Sequence, residues 1–547
     1  MNGSRTLRAF ATLVFVMLGS TGRVSAQADV PVYQTDFPPE EFQARWAKIY
    51  DRIGDSAIAV VQGVGMTPGF IVPRQNNEFY YLSGVETPGA YILLDGRTRK
   101  TTLYLPRRNA RLEAAEGRVL SADDAELVKK LTGVDDVQPV EAMRENWPPP
   151  APNAAGAPRG RNARPVIYTP FAPAENYAMS RGEAAAAARA QVADYWDQRP
   201  SEELNFVHLL QTRLNADVRD LSPILDELRS IKSPREIALI RRATEIAALG
   251  IIEAMKATQP GVYEYQLDAA ARYVFQVNGA RLDGYRSITA SGMKNIVSLH
   301  YFRNTDQLRD GDLVLMDYAP DYRYYTSDVG RMWPVNGRFS EEQRSLLGFI
   351  LEYHRAILAR IRPGVTSQQV MQEAAEAMEP VFARWKFLKP EHEQAARELV
   401  RTGGGVFSHP VGMAVHDVGG RSNPLKPGQV FSVDPQLRIR DADGNTIVYM
   451  RYEDVGVVTE TGFENFSAFM PTTLEEIERT VRMKGIVQDY PPDLTQRRRA
   501  AAGACSDTPP TAALRRCVRS GGLVRRPVAY REQGRAAPRL PTSTVTF

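Results

Sequence analysis

A repeated unit constrains this chain more than any other feature. The stretch ATQPGVYEYQLDAAA around Pro260 resembles RIRPGVTSQQVMQEAAEAM around Pro363, 103 residues further on. Each reads as a helix, a Pro-Gly-Val turn and a second helix, because proline and glycine interrupt a helical period that resumes behind them. Each copy is followed by a β-rich segment carrying two acidic residues. Asp317 lies in GDLVLMDY and Asp328 in YTSDVGR; Asp434 lies in FSVDPQL and Glu453 in MRYEDVG. Two Pro-Gly-Val turns can match by chance, but the paired carboxylates favour an internal duplication. A duplication would bring groups from both halves to a pseudo-twofold axis.

With His409, which opens HPVGMAVHD, the set comprises four carboxylates and one imidazole. Four of these five residues adjoin β-rich runs, where burial without a cation is costly. Hard oxygen donors with one histidine suit a pair of divalent cations, manganese first, with zinc or cobalt as alternatives. Taken singly, an Asp at a strand end is usually a turn or capping residue, and a lone His a surface or core residue. Only the set points to metal chemistry.

The chain has 547 residues, enough for two to four domains. Arg5 and Arg8 precede the apolar run AFATLVFVMLG, and VSA-QA follows. This pattern predicts a secretory signal over 1–26, cleaved after Ala26, and an exported protein, periplasmic or secreted in a bacterium. The alternative is an uncleaved anchor, although the run is short for a membrane span. From Asp493 onward, 11 arginines face three acidic residues, so the body up to residue 490 is acidic despite the formal net charge of +4. An acidic body argues against a nucleic-acid surface. The tail, 486–547, is rich in Arg, Pro and Ala and is expected to be disordered; contact with anionic lipid or nucleic acid is the alternative. Cys505 and Cys517, the two cysteines, both fall in the tail. None remains for thiol catalysis or a zinc-thiolate site in the body.

Residues 27–230 read as a first α/β domain. AIAVVQG is a buried-strand run, and AYILLDG and KTTLYLP form a hairpin or close strand pair around Arg97–Arg99. The alanine-rich segment 182–195 and ELNFVHLLQTRL read as helices, and 147–165 as an exposed Pro/Gly/Ala loop. A second domain, 231–485, starts at the capping box Ser233-Pro234-Arg235-Glu236.

On these residues the chain resembles the pita-bread metallopeptidases of family M24, in their aminopeptidase P branch, over about 30–485. Asp317 and Asp328, 11 residues apart and trailed by Arg331, match the family's first ligand pair. His409, Gly412, Val415, His416 and Asp417 match its histidine run, and Arg451, Glu453 and Asp454 its last carboxylate. His300 in SLHY falls 17 residues before Asp317, as in the family, and PRQNNEFYYLSGVETPGAYILL matches the N-terminal domain. The resemblance implies an α+β architecture: a creatinase/prolidase-like α/β domain, then a pita-bread domain with a pseudo-twofold repeat.

It also implies an activity, a metal-dependent Xaa-Pro aminopeptidase with two divalent ions. The implied metal ligands are Asp317, Asp328, His409, Asp434 and Glu453. Asp328 and Glu453 would bridge the ions, Asp317 would hold one, and His409 and Asp434 the other. The ions would activate a water as hydroxide for attack on the scissile carbonyl. Asp434 would also shuttle a proton, His300 and His416 would bind substrate, and Arg451 would orient the bridging carboxylates from behind. Tyr325 is either a wall of the site or a packed core aromatic. The implied partners are peptides with proline second, and possible homo-oligomerisation.

Three departures stand out. Asp434 replaces the family's glutamate and is one methylene shorter, about 1.5 Å of reach. Gly405 stands where the family often has a further histidine, and the basic tail has no family counterpart. Two other readings therefore stay open: a prolidase restricted to Xaa-Pro dipeptides, and a peptide-binding pseudoenzyme with a degraded metal site.

Overall fold

The computed structural model describes residues 36–66, 69–145, 147, 164–175, 180–403, 407–419 and 424–489. The predicted signal, most of the 147–165 loop, Gly405 and nearly all of the tail lie outside them. Among the described residues no helix is long and apolar enough to cross a membrane.

The first part is built on a six-stranded mixed sheet. Its order is Asp136–Pro139, Lys100–Leu105, Tyr91–Asp95, Ala57–Gln62, Val166–Thr169, Asp217–Asp220. Tyr91–Asp95 and Lys100–Leu105 are antiparallel neighbours, the hairpin read from the sequence. Ala57–Gln62 is buried almost throughout, as a central strand covered on both faces must be. The helices Arg181–Ala193 and Glu202–Leu214 stand where the sequence placed them.

The second part opens with the helix Pro234–Ala257. Ser233 and Glu236 form its reciprocal capping box, with Pro234 at the first turn, where a missing N–H costs nothing. The helix Glu264–Val277 follows after the first Pro-Gly-Val turn, and the pair Glu341–Leu358 and Ser367–Arg384 flanks the second. The two turns share their backbone wiring. Gly261 (φ +91°) donates to Leu308 O at 2.9 Å, and Leu308 N returns to Val262 O at 2.7 Å. Gly364 (φ +85°) donates to Leu425 O at 2.8 Å, and Leu425 N returns to Val365 O at 2.7 Å. Both glycines hold a positive φ that a side chain would strain.

Beyond each turn the chain enters an antiparallel sheet. The first has the order Gly330–Pro334, Leu313–Asp317, Ile288–Ser291. The second has the order Phe407–Pro410, Val430–Val433, Asp454–Val458, Phe463–Asn465. From Leu308 to Asp317 and from Leu425 to Asp434 the spacing is identical. Asp317 therefore ends the central strand of one sheet, and Asp434 directly follows an inner strand of the other. Asp328 lies two residues before the strand paired to the former, and Glu453 directly precedes the strand paired to the latter. The duplication is thus a property of hydrogen bonding and not only of sequence. A hairpin, Gln436–Arg440 with Thr446–Arg451, is inserted in the second copy.

The two parts pack into one compact unit ending at Ile486. Tyr80 of the first stacks on Tyr324 of the second with ring centroids 3.5 Å apart, and Arg74 Nε donates to Asp321 Oδ2 at 2.6 Å. Arg323 (φ +54°) and Tyr324 (φ +71°) are both held in the left-handed region, a strain that the stacking and ion pair offset. The strained turn leads within four residues to Asp328. Tyr325 is a packed core aromatic: its hydroxyl donates to Glu236 at 3.0 Å and its ring lies against Phe37.

Candidate metal centre and active site

The two sheets meet where Glu453 N donates to Gly330 O at 3.0 Å. This contact brings the two halves of the duplication together at the predicted ligands. A Cβ on Gly330 would lie 2.9 Å from Glu453 Oε2, so this glycine makes room for a carboxylate. Asp317, Asp328, Asp434 and Glu453 are all nearly inaccessible to solvent. One ligand atom each from Asp328, His409 and Glu453 falls in a group spanning no more than 4.8 Å, with His409 Nε2 3.0 Å from Asp328 Oδ2. Asp317 and Asp434 stand beside this group and join it through other side chains.

Arg451 makes that join. Its Nη1 donates to Asp317 Oδ2 at 2.9 Å, and its Nε and Nη2 grip Asp434 Oδ1 and Oδ2 at 3.1 and 2.9 Å. Nη2 also donates to Glu453. The sequence reading placed Arg451 behind the bridging carboxylates; it lies among the acids and bonds three of them. Tyr285, which the sequence reading missed, donates its hydroxyl toward Asp317 Oδ1 at 2.5 Å and Asp328 Oδ1 at 2.9 Å. Gln436, also missed, donates to Asp434 Oδ2. No local pattern marks either residue, although Gln436 lies only two positions past Asp434.

One guanidinium faces four buried carboxylates. Burial pushes the Asp328 and Glu453 carboxyl groups well above the usual range, and neighbouring acids push them further, Asp317 for Asp328 and Asp328 for Glu453. Burial also raises Asp434, against the pull of Arg451. The Tyr285 phenol is driven up by burial and the same acids. Glu453 Oε1 is buried without a hydrogen-bond partner. A donor set of this charge, with one buried carboxylate oxygen left without a hydrogen-bond partner, fits divalent cations.

The centre opens into a cavity of about 850 Å³. His300 and His416 line it, together with the apolar side chains of Ile288, Leu299 and Val415. The His416 ring lies 4.0 Å from that of His409, centroid to centroid. Burial, and then His409, hold its pKa down to about 4, so the ring is neutral near pH 7. The neighbouring Asp417 is locked by Arg229 at 2.5 Å and Lys232 at 3.0 Å. Arg229 also reaches Glu78 at 2.8 Å and Glu175 at 3.0 Å. The His416 segment is thereby tied to the first part of the molecule.

Comparison with known proteins agrees with this geometry. The model of metallopeptidase family M24 matches residues 238–460, and that of the aminopeptidase P N-terminal domain matches 42–151. The chain is 32% identical over 421 residues to a Xaa-Pro aminopeptidase of Escherichia coli (strain K12), covering 74% of this chain and 88% of that one. It is 28% identical over 473 residues to a Xaa-Pro aminopeptidase of Haemophilus influenzae, covering 82% and 98%. Among solved structures, aminopeptidase P from E. coli with the inhibitor Pro-Leu superposes with a TM-score of 0.63 at 28% identity, over 81% of this chain and 98% of that one. Zinc-substituted E. coli aminopeptidase P in complex with product gives 0.62 at 29% identity, over the same shares. With both halves matched and the buried acid cluster in place, the chain belongs to metallopeptidase family M24 and carries the N-terminal domain of the aminopeptidase P branch.

Proposed function

We propose that this protein is a metal-dependent exopeptidase that hydrolyses the bond between an N-terminal residue and a following proline. The observation that carries the reading is the convergence of Asp328, His409 and Glu453 within 4.8 Å, beside Asp317 and Asp434, at the floor of a cavity walled by two histidines. Divalent cations held there would lower the pKa of water and polarise a carbonyl. We assign manganese first, with zinc or cobalt as alternatives, because the donors are mostly hard oxygens.

The protein's own residues then have separable tasks. Asp317, Asp328, His409, Asp434 and Glu453 hold the cations. Tyr285 fixes the orientation of Asp317 and Asp328. Arg451 keeps three acids within reach of one another despite their repulsion. Asp434 is also the proton carrier to the leaving nitrogen. Neutral His416, with His300, which also lines the cavity, hydrogen-bonds the substrate and the oxygen where charge develops. Proline nitrogen in a peptide has no N–H, so a cleft that asks for no donor there accepts it. In the same reading, residues 1–26 direct export, the domains divide near residue 231, and the tail after about residue 490 is dispensable for turnover. Release of the first residue from Xaa-Pro-Xaa peptides, dependent on added metal, tests the assignment.

A further inference from the structure

Besides the residues assigned to the metal centre and the buried Asp417 cluster, two charged side chains line the cavity: Glu183 and Arg286. Glu183 is engaged in its own helix cap, where it accepts from Ser180 Oγ at 2.7 Å. Arg286 has no carboxylate partner among the described residues. Its Nη2 donates to the His300 carbonyl at 3.1 Å, and its guanidinium lies 5.1 Å from the centroid of the Phe302 ring. These two contacts orient the guanidinium, while its remaining N–H groups stay available. Arg286 also follows Tyr285, whose hydroxyl touches two of the acids. The cation is therefore set one residue from the reaction centre on the wall that carries His300. A preorganised, solvent-accessible guanidinium in a peptide cleft matches the planar geometry of a carboxylate.

We propose that Arg286 is the carboxylate receptor of this cleft. It binds either the C-terminal α-carboxylate of a short peptide or an acidic side chain, and so sets specificity within the aminopeptidase reading on which the inference rests. The test measures kcat/KM for the full chain, loaded with manganese, and for its Arg286→Gln and Arg286→Lys variants. Three substrate pairs differ by one carboxylate: Ala-Pro-Ala against its C-terminal amide, and two amidated pairs with Glu against Gln at the third or first position. The wild-type protein is expected to favour the carboxylate member of at least one pair by roughly tenfold, the scale of a charge-assisted hydrogen bond in water. Arg286→Gln should bring that ratio near one through KM, and Arg286→Lys should recover part of it. Preference in the first pair identifies the α-carboxylate; preference in either of the others identifies a side chain. A wild-type ratio near one in all pairs, or a ratio unchanged in Arg286→Gln, overturns the proposal. Calorimetric binding of the same three pairs to the chelated wild-type protein and to Arg286→Gln is measured alongside. If no peptide is turned over, the aminopeptidase reading fails, and the binding difference still decides the role of Arg286.

Discussion

Asp317 and Asp434 occupy equivalent places in the two halves of the duplicated fold, and the Arg451 guanidinium bonds both, at 2.9 Å in each case. The pair explains how a shorter acid at 434 fits. It takes the place that an aspartate already fills in the first half, with Arg451 and Gln436 drawn onto its two oxygens.

Arg451 should therefore stabilise the metal-free fold strongly. Arg451→Met leaves buried acids without their internal cation, a loss of roughly 3–5 kcal/mol for a broken buried pair. The variant should melt well below wild type in chelator, and manganese should raise its melting temperature by more than it raises that of wild type. Equal melting temperatures without metal would contradict this role.

Tyr285→Phe removes one hydroxyl shared by Asp317 and Asp328 while keeping the ring. Losing a hydrogen bond to charged acceptors costs about 1.5–3 kcal/mol, so kcat should fall about 10-fold to 100-fold. KM should change little, since the hydroxyl is spent on Asp317 and Asp328. Steady-state kinetics on one tripeptide separate the two constants.

Asp434→Glu lengthens the side chain by one methylene and, in the ligand role proposed for Asp434, should tighten metal binding. After dialysis against sub-stoichiometric manganese, the variant should retain more metal per chain than wild type. Equal metal content would show that Asp434 reaches the ion as well as a glutamate does.

His354 supplies a pH signature independent of the metal. It is buried 3.5 Å from Asp454, and burial lowers its pKa from 6.5 to about 4. The unfolded chain binds a proton through 6.5 that the folded chain refuses until about 4. This contribution is therefore complete above 6.5 and is lost as pH falls toward 4, at most about 3 kcal/mol. The raised carboxylates of the metal-free centre act in the opposite direction, gaining stability as they protonate. Urea unfolding of the metal-free protein from pH 7 to pH 5 should thus differ between wild type and His354→Asn, with wild type losing more on acidification.

What the sequence revealed was chiefly local. The two Pro-Gly-Val turns, the capping box at Ser233 and the run ending at Asp317 are set by neighbouring residues, and each stands where it was read. The five candidate ligands could be picked out because unusual residue types recur beside strands, and the structure brings Asp328, His409 and Glu453 within 4.8 Å of one another. Arg451 was found, but its contacts were not, because its bond to Asp317 spans 134 positions. The same holds for Tyr285, 43 positions from Asp328, and for the Arg229–Asp417 lock, 188 positions apart. Such contacts depend on how the two halves and the first domain pack, which leaves no mark in the local pattern.

The most direct measurement follows a Xaa-Pro-Xaa tripeptide and a Xaa-Pro dipeptide by mass spectrometry with the purified chain, as loaded with manganese, chelated, and reloaded. Release of the first residue from the tripeptide is expected, lost on chelation and restored on reloading, and abolished in Glu453→Ala. Cleavage of the dipeptide alone, or turnover that survives either chelation or the Glu453→Ala change, would contradict the metal-dependent aminopeptidase reading.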